Sequence, residues 1–313
     1  SAMLIRGAIV FAVALIMMGP ASAANLYSGK EIADAHRAMA PNIRLMVTED
    51  NVRTAPRTHR PAAAKVTVKF VDRGPHPLAF WAIPATATVY VPMESVRFID
   101  DLAIVYAWFE KHGCGAEQIQ TYLWALLREQ RPLPAPLTAF GIDRSAALAD
   151  SYVNDVSGKA LKSSILFIMA HEVGHIVLRH RGGLEGAASQ QQEIEADSFA
   201  LDHFAAIWAT LAGMAIYFLA VRWHDPLAAA ASYGTHPVSP QRIDSIAERM
   251  AANPDPFSFA EPNRQLGRTQ ASSMANDLRT IARLSSDDSM LTILPKELAR
   301  DFPLSRLQAA CPG

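Results

Sequence analysis

The chain has 313 residues and a formal net charge of −1, from 29 lysines and arginines against 30 aspartates and glutamates. This length is ample for a buried core and excludes disorder as the main state. So balanced a charge argues against a protein built to wrap nucleic acid. Half of the residues are apolar and 19% are charged, which is slightly more apolar than an average soluble domain.

The amino terminus has the pattern of a signal peptide. Two residues that we interpret as a cloning remnant precede a short positive start at Met3–Arg6, eleven apolar residues at Ala8–Met18 and a small-x-small site at Ala21–Ala23. We expect cleavage after Ala23, with residues 1–23 as the leader and a periplasmic or secreted mature protein. An uncleaved membrane anchor is the alternative, although the apolar run is short for a span.

Residues 24–62 are predicted to form a helix over Lys30–Ala40 and then a proline-bearing linker. The arginines of this linker are spread, which favours a solvated segment over a patch for anionic lipid or an acidic partner: Arg44, Arg53, Arg57 and Arg60. Apolar residues alternate from Lys65 onward, and Ala87–Val91 repeats this β-rich character. Two or three strands are therefore expected before the main helices.

The remaining pattern is mostly helical. Apolar periodicity predicts amphipathic helices over residues 98–111 and 116–128, with a proline-bearing loop at 131–140. A long helix over 160–181 is expected to end at Gly182-Gly183, and a second to run from about Gln190 to Arg222. Weaker helices are predicted at 269–284 and 295–301, within a tail at 251–313 that wraps the core. The predicted fold class is α+β, dominated by helices.

Phe204–Val221 contains eighteen residues without a charge. As one helix this segment is about 27 Å long, just enough to span a thin bilayer. Its many alanines make it only moderately hydrophobic, so we favour a buried core helix and keep membrane association as the alternative.

The first long helix contains His171-Glu172-Val173-Gly174-His175. Side chains four residues apart share one helix face, so both imidazoles can bind one Zn²⁺ at about 2.0–2.1 Å. Glu172 is offset by one residue and can accept a proton from water at the open position of the metal. The alternative is a pair of core histidines bonded to carbonyl groups, which has a large desolvation cost without a metal.

A catalytic zinc ion takes three protein ligands and keeps one open position. Glu193 and Asp197 share one face at the start of the second long helix. We predict Glu193 as the third ligand and Asp197 as the acceptor for the other ring nitrogen of a ligand histidine. Glu195 is the competing third ligand, and acidic residues at a helix start also favour the helix dipole.

These motifs together resemble a known family. The His171–His175 motif, followed by Glu193-Ile194-Glu195-Ala196-Asp197, is similar to the gluzincin metallopeptidases of the HtpX, BepA and CAAX prenyl protease group. Thr235-His236-Pro237 with the trailing Arg242 resembles a segment of the same group. The resemblance covers about residues 80–250 and implies a zinc endopeptidase for protein or peptide substrates, with one Zn²⁺ per chain.

The resemblance also implies roles for several further residues. It places His236 at the site, steadying the oxyanion or capping the zinc, with a loop histidine as the alternative. Arg242 is expected either to orient a carboxylate or to lie on the surface. The segment from Ala82-Ile83-Pro84 to Val89-Tyr90-Val91 is similar to the edge strand that pairs with substrate backbone in this family.

The order of elements departs from the family pattern. Residues 112–158 intervene before the metal helix, so we expect an inserted helical segment near the cleft, within a metallopeptidase domain at 63–250. If His236 or this insert closes the cleft, the protein is instead a zinc-bound binding or chaperone-like protein of the cell envelope.

Cys114 and Cys311 are the two cysteines, and in an oxidising compartment they can form one bridge. Two unrelated thiols are the alternative, since sequence does not place their Cα atoms within disulfide reach. His180 follows His175 by five residues, off the metal face. We interpret it as an ordinary histidine, together with those that lack partners at ligand spacing: His36, His59, His76, His112, His203 and His224.

Overall fold

A computed structural model describes residues 25–223, 236, 238–258, 261–286 and 304–312. The predicted leader and the predicted helix at 295–301 lie outside these residues. The helices are α1 Gly29–Leu45, α2 Asn51–Thr54, α3 Arg60–Ala63, α4 Met93–Lys111, α5 Glu117–Leu123, α6 Pro136–Ala139, α7 Arg144–Ala149, α8 Ser151–Val177, α9 Gly186–Ile207, α10 Ala212–Val221, α11 Pro240–Ala252, α12 Arg264–Ser286 and α13 Leu304–Gln308. The strands are β1 Thr67–Val71, β2 Trp81–Ile83 and β3 Thr88–Pro92. The predicted helix-dominated α+β class is confirmed.

The amino-terminal helix is longer than the sequence indicated. It starts at a capping box between Ser28 and Glu31, in which each side chain bonds the backbone of the other residue. Its predicted end at Ala40 is wrong, because α1 continues through Pro41 and helical turns reach Thr54. Beyond the proline, the inner face of the helix buries three apolar residues: Ile43, Met46 and Val47. The free energy gained by burying them outweighs the loss of the hydrogen bond that proline removes. The expected solvated linker is therefore largely helical.

The three strands form one mixed sheet in the order β1-β3-β2. β1 runs parallel to β3, with Thr67 opposite Thr88, and β2 runs antiparallel to β3, with Trp81 opposite Tyr90. These two aromatic rings stack with centroids 5.2 Å apart. The segment expected to be one edge strand is therefore two strands, of which β3 is central and β2 lies at the edge.

Helix α8 occupies the centre of the fold, where α4, α9 and α10 pack against it. Asp150 caps its first turn by accepting hydrogen bonds from the backbone N–H groups of Tyr152 and Val153. Every residue from 163 to 177 is buried, which is typical of a helix that is apolar on all sides. Among the described residues this is the helix that is long and apolar enough to span a membrane, but 83% of its most apolar window is buried inside the protein.

Where one long helix was predicted, the structure has two. Trp208 adopts a left-handed conformation with φ 55°, which ends α9, and α10 begins four residues later. Phe204–Val221 is thus not a continuous helix, and α10 alone is about 15 Å long, too short for a bilayer. It packs on α8, where a Cβ at Gly213 would collide with the carbonyl of Ala160.

The described carboxyl-terminal residues pack on the rest of the fold. Helix α12 lies against α11. After the undescribed residues 287–303, α13 leads to Cys311, which forms a disulfide with Cys114 just beyond α4, with 5.7 Å between the Cα atoms. The end of the chain is therefore tied to the first half of the molecule.

His203 on α9 is buried beside the amino-terminal helices. It is 2% exposed, and its Nδ1 lies 2.6 Å from Thr54 Oγ1. Its Nε2 has no hydrogen-bond partner among the described residues. Burial is the main cause that lowers the pKa of His203, and with the opposing effect of Asp50 and a further decrease from Arg53 the pKa is about 4. A buried neutral imidazole of this kind makes folding sensitive to pH.

This shift predicts a loss of stability in mild acid. Below about pH 6.5 the unfolded chain binds a proton at His203 that the folded chain does not accept until about pH 4. The free energy of unfolding should therefore fall by about 3 kcal/mol more in the wild type than in His203→Phe between these pH values. Denaturant titrations at both pH values test this. Parallel pH profiles would contradict it.

Candidate metal centre

Helices α8 and α9 approach each other closely where they carry the predicted ligands. A Cβ built on Gly174 would lie 3.2 Å from both Ala196 Cα and Phe199 Cβ. Glycine on one helix and alanine on the other therefore allow near backbone contact. Because Gly174 adjoins His175 and Ala196 lies three residues after Glu193, this approach brings the imidazoles and the carboxylate together.

The three predicted ligands converge on one point. Nε2 of His171 and Nε2 of His175 are 3.0 Å apart. His171 Nε2 lies 3.4 Å from Oε2 of Glu193, and His175 Nε2 lies 3.4 Å from Oε1 of the same carboxylate. Ligand atoms of a tetrahedral Zn²⁺ with bonds of about 2.0–2.1 Å are separated by roughly 3.3 Å, so these spacings fit such an ion.

His236 joins the same cluster from outside the two helices. Its Nδ1 lies 3.3 Å from His171 Nε2 and 3.0 Å from Glu193 Oε1. Ligand atoms of all four residues, His175 included, lie within 4.8 Å of one another. The flanking Thr235 and Pro237 of the sequence motif lie outside the described residues.

Glu172 is fully buried beside the cluster and does not join the ligand set. Its Oε1 lies 2.8 Å from His236 Nε2, which is the distance of an ion pair. The two groups are misaligned for a hydrogen bond, and neither oxygen of Glu172 has a hydrogen-bond partner among the described residues. A buried carboxylate without donors needs a further partner, such as a water molecule at a metal ion.

Asp197 and Arg242 contact the predicted ligands and hold them in position. Asp197 Oδ1 lies 2.8 Å from His171 Nδ1 and accepts its hydrogen bond, so Nε2 is left free to bind a metal. Arg242 donates to both oxygens of Asp197 at 2.8 Å, and its third nitrogen lies 3.0 Å from Glu193 Oε2. At 1% exposure, Arg242 is not the surface arginine of the alternative. It orients two carboxylates.

The charges of the cluster shift its pKa values in opposite directions. Burial raises the pKa of Glu193, but His236 and Arg242 lower it more, and the result is well below the usual range. Burial lowers the pKa of His236, but Glu172 and Glu193 raise it to well above the usual range. The pKa of His175 falls well below its usual value because of burial and the neighbouring imidazoles. Glu193 is thus ionised and His175 neutral, as metal ligands must be. His171 differs, because burial lowers its pKa but Asp197 and Glu193 raise it more.

The donor set fits a divalent metal such as zinc. It combines imidazole nitrogens with one carboxylate, and the spacings match a tetrahedral ion. Glu172 lies buried beside it, with no hydrogen-bond donor in the described part of the chain. His171, His175 and Glu193 would hold the metal. His236 lies where a fourth ligand or a substrate group would bind.

His180 and Glu195 have roles that differ from those assigned from sequence. His180, interpreted as an ordinary histidine, is buried and its Nδ1 lies 2.8 Å from His175 Nδ1. Glu195, the alternative third ligand, lies outside the ligand set and its Oε2 is 3.0 Å from His180 Nε2. The fold-back of His180 follows from a left-handed Arg179, with φ 57°. No sequence signal predicts it, because such turns usually carry glycine.

A small cavity lies beside Glu172 and has room for about one water molecule. Its wall includes Tyr217 of α10 and residues from α8, α11 and the loop before α11: Phe167, Ile168, His171, His236 and Arg242. The segment 112–158, which was expected near the cleft, is described throughout and contributes no residue to this wall. It packs instead on α4, α8 and α10.

Comparison with known proteins identifies a family. The sequence model of the family described as Peptidase U49 matches residues 104–260, which is half of the chain and includes every residue of the cluster. No curated protein and no solved structure matches the chain. The match indicates a peptidase, while the more specific likeness to the HtpX, BepA and CAAX prenyl protease group stays a prediction.

The environment of Arg242 predicts a large effect of its removal. Arg242→Met leaves two buried carboxylates without their cation, so we expect the free energy of unfolding to fall by about 3–5 kcal/mol. Arg249→Met in the same helix is the matched control, because Arg249 is 33% exposed and pairs with the exposed Asp202. It should cost about 0–1 kcal/mol. Denaturant unfolding with chelator present tests both, and equal losses would contradict the buried role.

Proposed function

Because the chain belongs to the Peptidase U49 family, we propose that it is a zinc-dependent endopeptidase of protein or peptide substrates. The observation that carries the proposal is the convergence of His171, His175 and Glu193 at one point, beside the buried Glu172, which accepts no hydrogen bond from the described residues. This is the arrangement of a metal-assisted hydrolase, in which three ligands leave one position open and a carboxylate lies next to it.

The protein residues in this proposal bind the metal, orient its ligands and move one proton. Zinc bound there supplies the Lewis acid that polarises the scissile carbonyl and activates the attacking water. Glu172 accepts the proton of that water and delivers it to the leaving amine. Asp197 keeps His171 in the tautomer that offers Nε2, and Arg242 fixes Asp197 and Glu193 in place.

We place this activity outside the cytosol, in the periplasm or in the secreted fraction. The signal-peptide pattern at the amino terminus supports this location. The disulfide between Cys114 and Cys311 supports it independently, since such bonds persist mainly in oxidising compartments.

The role of Glu172 predicts a separation of metal binding from hydrolysis. Glu172→Gln keeps all ligands but removes the proton acceptor, so zinc content should stay near one per chain. Hydrolysis of denatured casein should fall by about 10²–10⁴-fold. Glu110→Gln, at an exposed position near the end of α4, is the control and should behave as wild type. Equal turnover in Glu172→Gln and wild type would refute the assignment.

A second function is favoured by the closure of the site. His236 supplies a fourth potential ligand, and zinc sites with four protein ligands are generally structural. The cavity that the described residues form beside Glu172 also has room for about one water molecule. A zinc-bound binding or chaperone-like protein of the cell envelope would have this closed centre permanently, whereas in the peptidase His236 is a cap that moves.

Removal of the cap distinguishes the two functions. His236→Ala retains His171, His175 and Glu193, so zinc should remain bound and cleavage of an unfolded protein should become faster. Activity assays beside metal analysis measure both. A collapse of activity would assign His236 to support of the oxyanion instead, and an absence of cleavage by both wild type and variant would favour the binding protein.

A further inference from the structure

His180 and Glu195 form a hydrogen-bonded chain that ends on His175. His180 Nδ1 lies 2.8 Å from His175 Nδ1, and His180 Nε2 lies 3.0 Å from Glu195 Oε2. Glu195 is held in turn by Gln191, whose side-chain amide donates to Oε1 at 2.9 Å. The imidazole of His180 is buried, while Glu195 is half exposed. This series of hydrogen bonds therefore runs from the metal cluster to the surface of α9.

The backbone after α8 is shaped to make this contact. Arg179 lies in the left-handed region with φ 57°, a conformation that is uncommon for a residue other than glycine. This conformation reverses the direction of the backbone, so that the N–H of His180 donates to the carbonyl of His175 at 2.9 Å. The ring of His180 is thereby returned to the last turn of the helix that carries the ligand.

The positions of the protons in this chain follow from hydrogen-bond chemistry. A neutral His175 that binds a metal through Nε2 carries its proton on Nδ1. The facing Nδ1 of His180 must then be the acceptor, so His180 carries its own proton on Nε2 and donates it to Glu195. Every donor meets an acceptor, and only one arrangement of protons satisfies all three groups.

We propose that His180 is a positioning residue for the ligand His175, and that Glu195 holds His180 in the required tautomer. The inference rests on the proposed function in that it needs a metal at the cluster. His171 has a carboxylate acceptor, Asp197, for its outer nitrogen. The outer nitrogen of His175 faces the imidazole of His180 instead, and the carboxylate of Glu195 lies on the far side of that imidazole.

Two substitutions of His180 separate this role from simple packing. His180→Phe keeps a ring of similar size but removes both nitrogens. His180→Gln is smaller and flexible, yet its amide can accept from His175 and donate to Glu195. Loss of a hydrogen-bonded neighbour of a ligand typically lowers metal affinity about 10–100-fold. We therefore expect such a loss of Zn²⁺ affinity in the phenylalanine variant and a smaller loss in the glutamine variant.

The measurement is competition for Zn²⁺ between the full chain and a chromophoric chelator. His203→Phe is the control, because His203 is equally buried but lies at Thr54, away from the cluster, and its affinity for zinc should equal that of wild type. Circular dichroism of each zinc-free variant checks the fold. Glu195→Ala, at a half-exposed position, provides the test if the phenylalanine variant does not fold, and it should also weaken zinc binding.

The outcomes distinguish this inference from the proposed function. Unchanged zinc affinity in the folded variants overturns the positioning role, and so does a greater loss in His180→Gln than in His180→Phe, which would indicate packing. If wild type itself binds no zinc, the proposed function fails and this inference fails with it. Zinc binding by wild type with the predicted order of variants supports both.

Discussion

The close approach of α8 and α9 at Gly174 and Ala196 is the constraint on which the centre depends. A side chain larger than hydrogen at Gly174 would meet the backbone of α9 at 3.2 Å, and separation of the helices would move Glu193 away from both imidazoles. Cluster spacings of 3.0–3.4 Å leave little room for such a shift. Small residues between the ligands are therefore as necessary to the centre as the ligands themselves.

The buried charges of the site stabilise one another as a set. The carboxylate of the proposed ligand Glu193 and that of Asp197, which supports His171, share the buried guanidinium of Arg242. Among the described residues, Glu172 has no hydrogen-bond donor and pairs with the ring of His236 at 2.8 Å. Ionised groups in the interior need partners, and Glu172, which the proposed mechanism requires to accept a proton, is the carboxylate of the three that Arg242 does not hold.

Features that depend on local spacing could be predicted from the sequence. His171 and His175 share a face because they are four residues apart in a helix, and the same holds for Glu193 and Asp197. Two features were missed for one physical reason. Trp208, which separates α9 from α10, and Arg179, which returns His180 to the cluster, are left-handed residues other than glycine. Both residues are exposed, and neither position has the glycine that usually marks such a turn, so no residue pattern indicates it.

The disulfide closes the chain from Cys114 to Cys311 into a covalent ring. Cys114 and Cys311 are 197 residues apart, and the ring they close contains both site helices and the exposed loop around Leu184. A single peptide-bond cut anywhere inside it, by another protease or by a second copy of this chain, leaves both fragments joined. Such a nick adds only one water to the molecule and releases no fragment until the disulfide is reduced, so a nicked molecule would keep its two site helices tethered.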